Sequence, residues 1–185
     1  RVDARQFSEK IRVEHEWIES HEVSQPSYKI NDENRCYHCK SELFRIGKDV
    51  PSQRKLKWLA YGYNASDRGD TRPGHRAALE NEVLSPLADA DLGKDDIRTL
   101  MRANLLDLAD KPASPCLSSR LMRGVEVTSS KLKDVEELES LLRDGGLKVF
   151  RVRLHEVESG RFLRLAVAPS EMALALELAE PLVQE

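Results

Sequence analysis

Three cysteines carry the most specific chemistry in this chain. Two form Cys36-Tyr37-His38-Cys39; the third lies far downstream in Lys111-Pro-Ala-Ser-Pro-Cys116-Leu-Ser-Ser-Arg120. Cysteines at i and i+3 of a helix start project from one face, close enough to ligate one metal or cluster. An odd cysteine count argues against a disulfide framework and for metal, cluster or redox use in a reducing cytoplasm. Three readings compete. A Cys3His zinc site would draw its fourth ligand from a histidine such as His38 or His155, neither of which has finger spacing. Alternatively, Cys116 packs as a small apolar side chain and the Cys36/Cys39 pair is incidental. In the third reading three thiolates hold an iron–sulfur cluster and leave one iron open to sulfide or substrate.

Two further groupings bear chemistry. Asn64-Ala-Ser-Asp67-Arg-Gly-Asp70-Thr-Arg72-Pro-Gly74 crowds carboxylates, arginines and glycines into one loop. Arginines with exposed backbone amides suit phosphate, and the carboxylates suit Mg2+ or a ribose; the alternative is a solvated turn. Arg151-Val-Arg153-Leu-His155 alternates as a strand does, so both arginines and the histidine share a face that suits an anion; the alternative is a solvent-facing strand side. The carboxylates Glu136, Glu137 and Glu139 of a nearby helix read most simply as a solvated face.

The elements that would position these residues alternate between helix and strand. Asp3 to about Ile11 has helical patterning, and Val13 to Ile18 alternates as a strand. Tyr37 to Ile46 is helical, places the two cysteines at its start and is broken at Gly47. Leu56 to Gly62 reads as an apolar strand feeding the Asn64–Gly74 loop, the strand end at which open α/β sheets place ligands. His75 to Glu80 is a short helix, and Asp91 to Ile97 leads into another reaching about Asn104. Past a boundary near Gly124 come an amphipathic helix, Ser129 to Arg143, with apolar Leu132, Val135, Leu138, Leu141 and Leu142, then Gly145-Gly146. Strands Leu147 to His155 and Arg161 to Val167 and a helix from Pro169 to about Leu182 complete a small α+β unit. The expected architecture is α/β: a Rossmann-like parallel-sheet domain over residues 1–123, then an α+β domain over 124–185 that serves substrate binding or oligomerisation.

Composition limits the partners. The chain has 185 residues, 33% of them charged, with a net charge of −3. The near-cancellation of charge gives no field that would draw the whole molecule to nucleic acid or an anionic membrane. No apolar run nears the ~18 residues that cross a bilayer, and no basic-then-apolar leader is present. The protein is therefore expected in the cytoplasm. The chain begins at Arg1 within a helical pattern and without Met, which leads us to expect a truncated N-terminus.

Four segments, Asn34-Arg-Cys36-Tyr-His-Cys39-Lys, Gly69-Asp-Thr-Arg72-Pro-Gly74, Pro115-Cys116-Leu-Ser-Ser-Arg120 and Arg151-Val-Arg153-Leu-His155, together resemble the LarE family of ATP-dependent sulfur transferases in the PP-loop ATP-pyrophosphatase superfamily. The likeness runs in order along nearly the whole chain. It implies a PP-loop (HUP-like) fold, adenylation of a carboxylate of a pyridinium mononucleotide by ATP and Mg2+, and sulfur insertion on the way to the nickel-pincer cofactor of lactate racemase. One subgroup sacrifices the sulfur of a single cysteine. Another has three cysteines holding a four-iron four-sulfur cluster, the pattern that Cys36, Cys39 and Cys116 fit.

The same resemblance implies roles for other residues. Cys116, Ser119 and Glu139 surround the reacting sulfur, Arg151 and Arg153 bind the substrate phosphate, and Asp67, Asp70 and Arg72 lie on the nucleotide side. It further implies a homo-oligomer and partners in nickel-cofactor assembly. The Ser-Gly-Gly-x-Asp-Ser loop of the superfamily is absent, so the fragment alone is expected not to turn over ATP. Leu121-Met-Arg123 stands where relatives have an aromatic, and Ala166 where they have a glutamate. Transfer-RNA thiolation and a non-catalytic zinc-stabilised binding protein are the rival functions.

Overall fold

The computed structural model describes residues 2–54, 56–69, 73–104, 106, 108–111 and 115–179; Asp70 and Arg72 lie outside them. Helix α1 (Val2–Lys10) leads into an irregular, exposed stretch through residue 20. The strand expected over 13–18 does not form, because nothing pairs with it among the described residues. A helical turn, α2 (Pro26–Lys29), precedes the long helix α3 (Arg35–Arg54). The break expected at Gly47 is also absent. The Cβ that Gly47 lacks would lie 3.1 Å from Leu59 Cδ2, so the helix continues and Leu59 fills the space.

Helices α4 (Pro73–Glu80), α5 (Pro86–Asp89) and α6 (Lys94–Ala103) follow. The segment expected as a strand over 56–62 makes one parallel bridge, Ala60 to Leu84, with Tyr61 N donating to Leu84 O at 3.0 Å and Leu84 N to Leu59 O at 2.9 Å. Phe44, Ala77, Ala78 and Val83 bury a small core between α3, α4 and this bridge. No helix among the described residues is long and apolar enough to cross a membrane.

The larger core belongs to the second half. Helix α7 (Ser129–Asp144) starts at Thr128, whose hydroxyl accepts from Lys131 N, and its Val135 and Leu142 are fully buried. Leu141, expected on the same face, is exposed. Gly146, at φ +103, takes the left-handed backbone that ends the helix at little cost. Strands β1 (Phe150–Val157) and β2 (Gly160–Val167) pair antiparallel, with Phe150 opposite Val167 and Arg153 opposite Arg164. The ladder starts three residues later than expected because Glu171 takes the N–H groups of Lys148 and Val149. Helix α8 (Met172–Ala179) covers this unit through Ala175.

Val152 and Leu154 point from β1 into the core beside Val127, Val135 and Leu147, each burial contributing roughly 1.5–3 kcal/mol. Tyr28, from before the boundary expected near Gly124, sits in this same core.

Candidate functional site

Convergence of the cysteines depends on the short segment ahead of α3. Asn31 is fully buried at φ +56, and its amide donates to the carbonyls of Met122 and Val125, both at 2.8 Å. Asn tolerates this left-handed conformation better than most residues. Asn31 Oδ1 accepts from Arg35 at 2.5 Å, and the same guanidinium nitrogen donates to Ser118 O at 2.6 Å. Tyr28 Oη and Ser118 Oγ share a hydrogen bond of 2.5 Å. The first turn of α3 is thereby fastened to the loop that holds Cys116.

Cys36, Cys39 and Cys116 consequently line one cavity of about 780 Å³, together with Tyr28, Arg35 and Lys40. Tyr61, Tyr63, Asp67, Gly74 and His75 form the remainder of the wall. All three cysteines are free thiols; Cys36 and Cys116 are exposed and Cys39 is half-buried. Burial pushes the Cys39 thiol up to about 11, reinforced by the Glu22 carboxylate and the Cys116 thiol. Tyr28 is likewise raised to about 12 by burial, so it stays a phenol. The sulfur-rich lining suits a soft metal or cluster better than Mg2+. Among the described residues no three His, Cys, Asp or Glu side chains are already close enough together to hold a metal ion.

The Cys116 loop is held from below by a buried ion pair. Arg120 Nε donates to Glu139 Oε1 at 2.9 Å and a second guanidinium nitrogen to Oε2 at 3.3 Å, with both side chains under a tenth exposed. The third nitrogen of Arg120 donates to Pro115 O at 2.7 Å, and Val152 N on β1 donates to Glu139 Oε1 at 3.2 Å. Glu139 therefore does not belong to a solvated face: it lies four residues after Val135 and three before Leu142, on the buried stripe of α7. Ser119 Oγ donates to Cys116 O at 2.7 Å, closing the turn beneath the cysteine.

The other expected site residues fall elsewhere. Arg151, Arg153 and His155 share the face of β1 opposite Val152 and Leu154, and none of them lines the cavity. His155 stacks on Phe162, with ring centroids 4.9 Å apart. Asp67 lines the cavity, caps the turn after Asn64 and pairs with Lys94 at 3.0 Å.

The aromatic wall of Tyr61, Tyr63 and His75, and the cations Arg35 and Lys40, were not singled out from sequence. The signal was Tyr61-Gly-Tyr63, two aromatics one strand period apart on one face. Tyr63 and His75 stack with centroids 4.0 Å apart and planes 6° from parallel, and Tyr61 Oη shares a 2.6 Å hydrogen bond with His75 Nδ1.

No protein-family model matches the chain. An uncharacterized protein of Synechocystis is 39% identical over 151 residues, covering 82% of this chain and 56% of that protein. An uncharacterized protein of Methanocaldococcus jannaschii is 35% identical over 123 residues, covering 66% and 48%. Pyridinium-3,5-bisthiocarboxylic acid mononucleotide synthase of Lactiplantibacillus plantarum is 30% identical over 133 residues, covering 72% and 48%. The chain thus spans about half the length of the curated relatives it matches. The last match supports a relationship to LarE-like proteins.

Proposed function

We propose that the protein is an ATP-dependent sulfur transferase acting in nickel-pincer cofactor biosynthesis, with a carboxylate of a pyridinium mononucleotide as the group it activates. The observation that carries this is the convergence of Cys36, Cys39 and Cys116 on one cavity, in a chain similar to a pyridinium-3,5-bisthiocarboxylic acid mononucleotide synthase. ATP and Mg2+ would convert the carboxylate to an acyl-adenylate with loss of pyrophosphate, which makes the oxygen a good leaving group. The three cysteines would hold a four-iron four-sulfur cluster, which supplies transferable sulfide when bound.

The chain's own residues supply placement. Arg120 and Glu139 fix the Cys116 loop, Ser119 closes its turn, and Arg35 and Lys40 bring positive charge to the cavity. Arg151 and Arg153 would grip the substrate phosphate, and Asp67, Asp70 and Arg72 would serve the nucleotide. Catalysis would come mainly from holding the activated carboxyl near sulfur. Cytoplasmic location, a homo-oligomeric state and the PP-loop fold belong to the same proposal.

The test is anaerobic purification with iron, zinc and acid-labile sulfide analysis of the protein and of Cys116→Ala. About four irons with matching sulfide, lost in the variant, are expected. Stoichiometric zinc or no metal would remove the cluster, and salt-sensitive RNA binding would redirect the substrate to transfer RNA.

A further inference from the structure

The cavity wall facing the thiols contains a histidine that none of the roles above uses. His75 follows Pro73-Gly74 at the start of α4, and Gly74 is buried against the cysteine turn of α3. A Cβ there would lie 3.0 Å from Lys40 Cγ and 3.4 Å from the Cys36 carbonyl oxygen. This close approach sets His75 beside the cysteine turn. Its ring is held twice, by the parallel Tyr63 ring at 4.0 Å and by Tyr61 Oη at 2.6 Å from Nδ1. Tyr61 is itself fixed against Tyr63 at 5.8 Å and edge-on to Phe44 at 5.4 Å.

When the phenol donates to Nδ1, the imidazole proton sits on Nε2, the ring nitrogen left for a ligand. Among the described residues nothing hydrogen-bonds Nε2. The cavity also carries Arg35 and Lys40, whereas Asp67, the one carboxylate among its described lining residues, is paired with Lys94. A preset N–H donor in a cationic cavity selects an anionic oxygen.

We propose that His75 is a ligand-binding donor whose Nε2–H, oriented by Tyr61 and Tyr63, hydrogen-bonds a carboxylate or phosphate oxygen of the compound whose reacting group meets the thiols. Tyr61 is a positioning residue that fixes the tautomer. This rests on the sulfur-transfer proposal for its choice of ligand class, but not for the donor geometry.

The test is calorimetric titration of the full-length protein with three probes. Nicotinic acid mononucleotide carries carboxylate and phosphate, nicotinamide mononucleotide only the phosphate, and nicotinic acid riboside only the carboxylate. His75→Phe, which keeps a flat ring, should weaken the two probes that share the recognised anion about tenfold or more, and the third by less than about twofold. Which pair weakens identifies the anion.

In 15N spectra of histidine-labelled protein, free His75 should carry its proton on Nε2. Tyr61→Phe should release that tautomer preference and weaken the same pair about threefold. Equal weakening of all three probes, no weakening, or a proton on Nδ1 would overturn the assignment of His75 alone. Failure of the unaltered protein to bind any probe would overturn both it and the pyridinium substrate class.

Discussion

Glu139→Gln separates a structural carboxylate from a catalytic one. Glutamine keeps the size of the side chain and can leave its oxygen where Oε1 now accepts from Arg120 Nε at 2.9 Å and Val152 N at 3.2 Å. Its NH2 then faces the guanidinium nitrogen that donates to Oε2 at 3.3 Å, a donor against a donor. The Arg120 charge, on a side chain 6% exposed, also loses its counter-ion. Breaking one side of a buried pair costs about 3–5 kcal/mol. The lower figure, about 3 kcal/mol, applies because two of the three hydrogen bonds to the carboxylate survive. In a chain of this size that is a fall in Tm of roughly 6–12 °C.

Urea denaturation followed by circular dichroism measures it. A double change, Arg120→Met with Glu139→Leu, should cost less than the sum of its single changes, because it leaves no buried charge unpaired. It should still free the Cys116 loop, since the bond from Arg120 to Pro115 O is lost, and so speed the labelling of Cys116 by a thiol reagent. A loss below about 1 kcal/mol for Glu139→Gln, the scale of an exposed pair, together with abolished sulfur transfer, would refute the positioning role and restore Glu139 as a reacting group.

Two further predictions test the frame of the cavity. With the Cys39 thiol raised from 9.0 to about 11 by burial, its thiolate fraction at pH 8 falls roughly a hundredfold; higher nucleophilicity recovers part of this. Cys39 should then react with an aromatic disulfide about tenfold more slowly than a peptide cysteine, and a rate equal to the peptide's would sink the idea. Because its folded value is raised, Cys39 contributes stability that is present below pH 9 and lost as pH rises toward 11. Asn31→Ala should cost about 3 kcal/mol by removing the bonds to Met122 O, Val125 O and Arg35, which offset the left-handed backbone at φ +56 that the Ala Cβ would still oppose. Asn31→Gly should recover about 1 kcal/mol of this in the same denaturation assay, and no difference between the two would show that the backbone conformation carries no cost.

Local elements of the second half were legible because their signals lie within a few residues. The apolar spacing from Leu132 to Leu142 and Gly145-Gly146 mark α7, and alternation marks the two strands. The Cys36/Cys39 spacing is local in the same way, and the structure sets both thiols on the cavity that Cys116 also lines. What sequence did not show depends on partners far apart in the chain. Val13 to Ile18 alternates like a strand, but alternation cannot supply the neighbour a strand needs. Glu139 looked like its neighbours Glu136 and Glu137, and only its place between Val135 and Leu142 marked it as buried. The bonds of Asn31 to Met122 and Val125 cross about 90 residues and have no local signature.

These long-range bonds determine how the cavity can be divided. Its thiols come from two places: Cys36 and Cys39 from α3, and Cys116 from a loop gripped by Arg120. Arg120 in turn is oriented by Glu139 on α7, and Glu139 also reads Val152 N on β1. Asn31 reaches across the Gly124 boundary to Val125, and with Tyr28 it also binds Met122 and Ser118 ahead of that boundary. A chain cut at Gly124 would keep all three cysteines but lose α7 and β1, leaving Arg120 as a charge without its carboxylate and Tyr28 without the core that buries it. The Cys116 loop is thus held from both sides, by Tyr28 and Arg35 at Ser118 and, through Arg120 and Glu139, by the half of the chain that contributes no thiol.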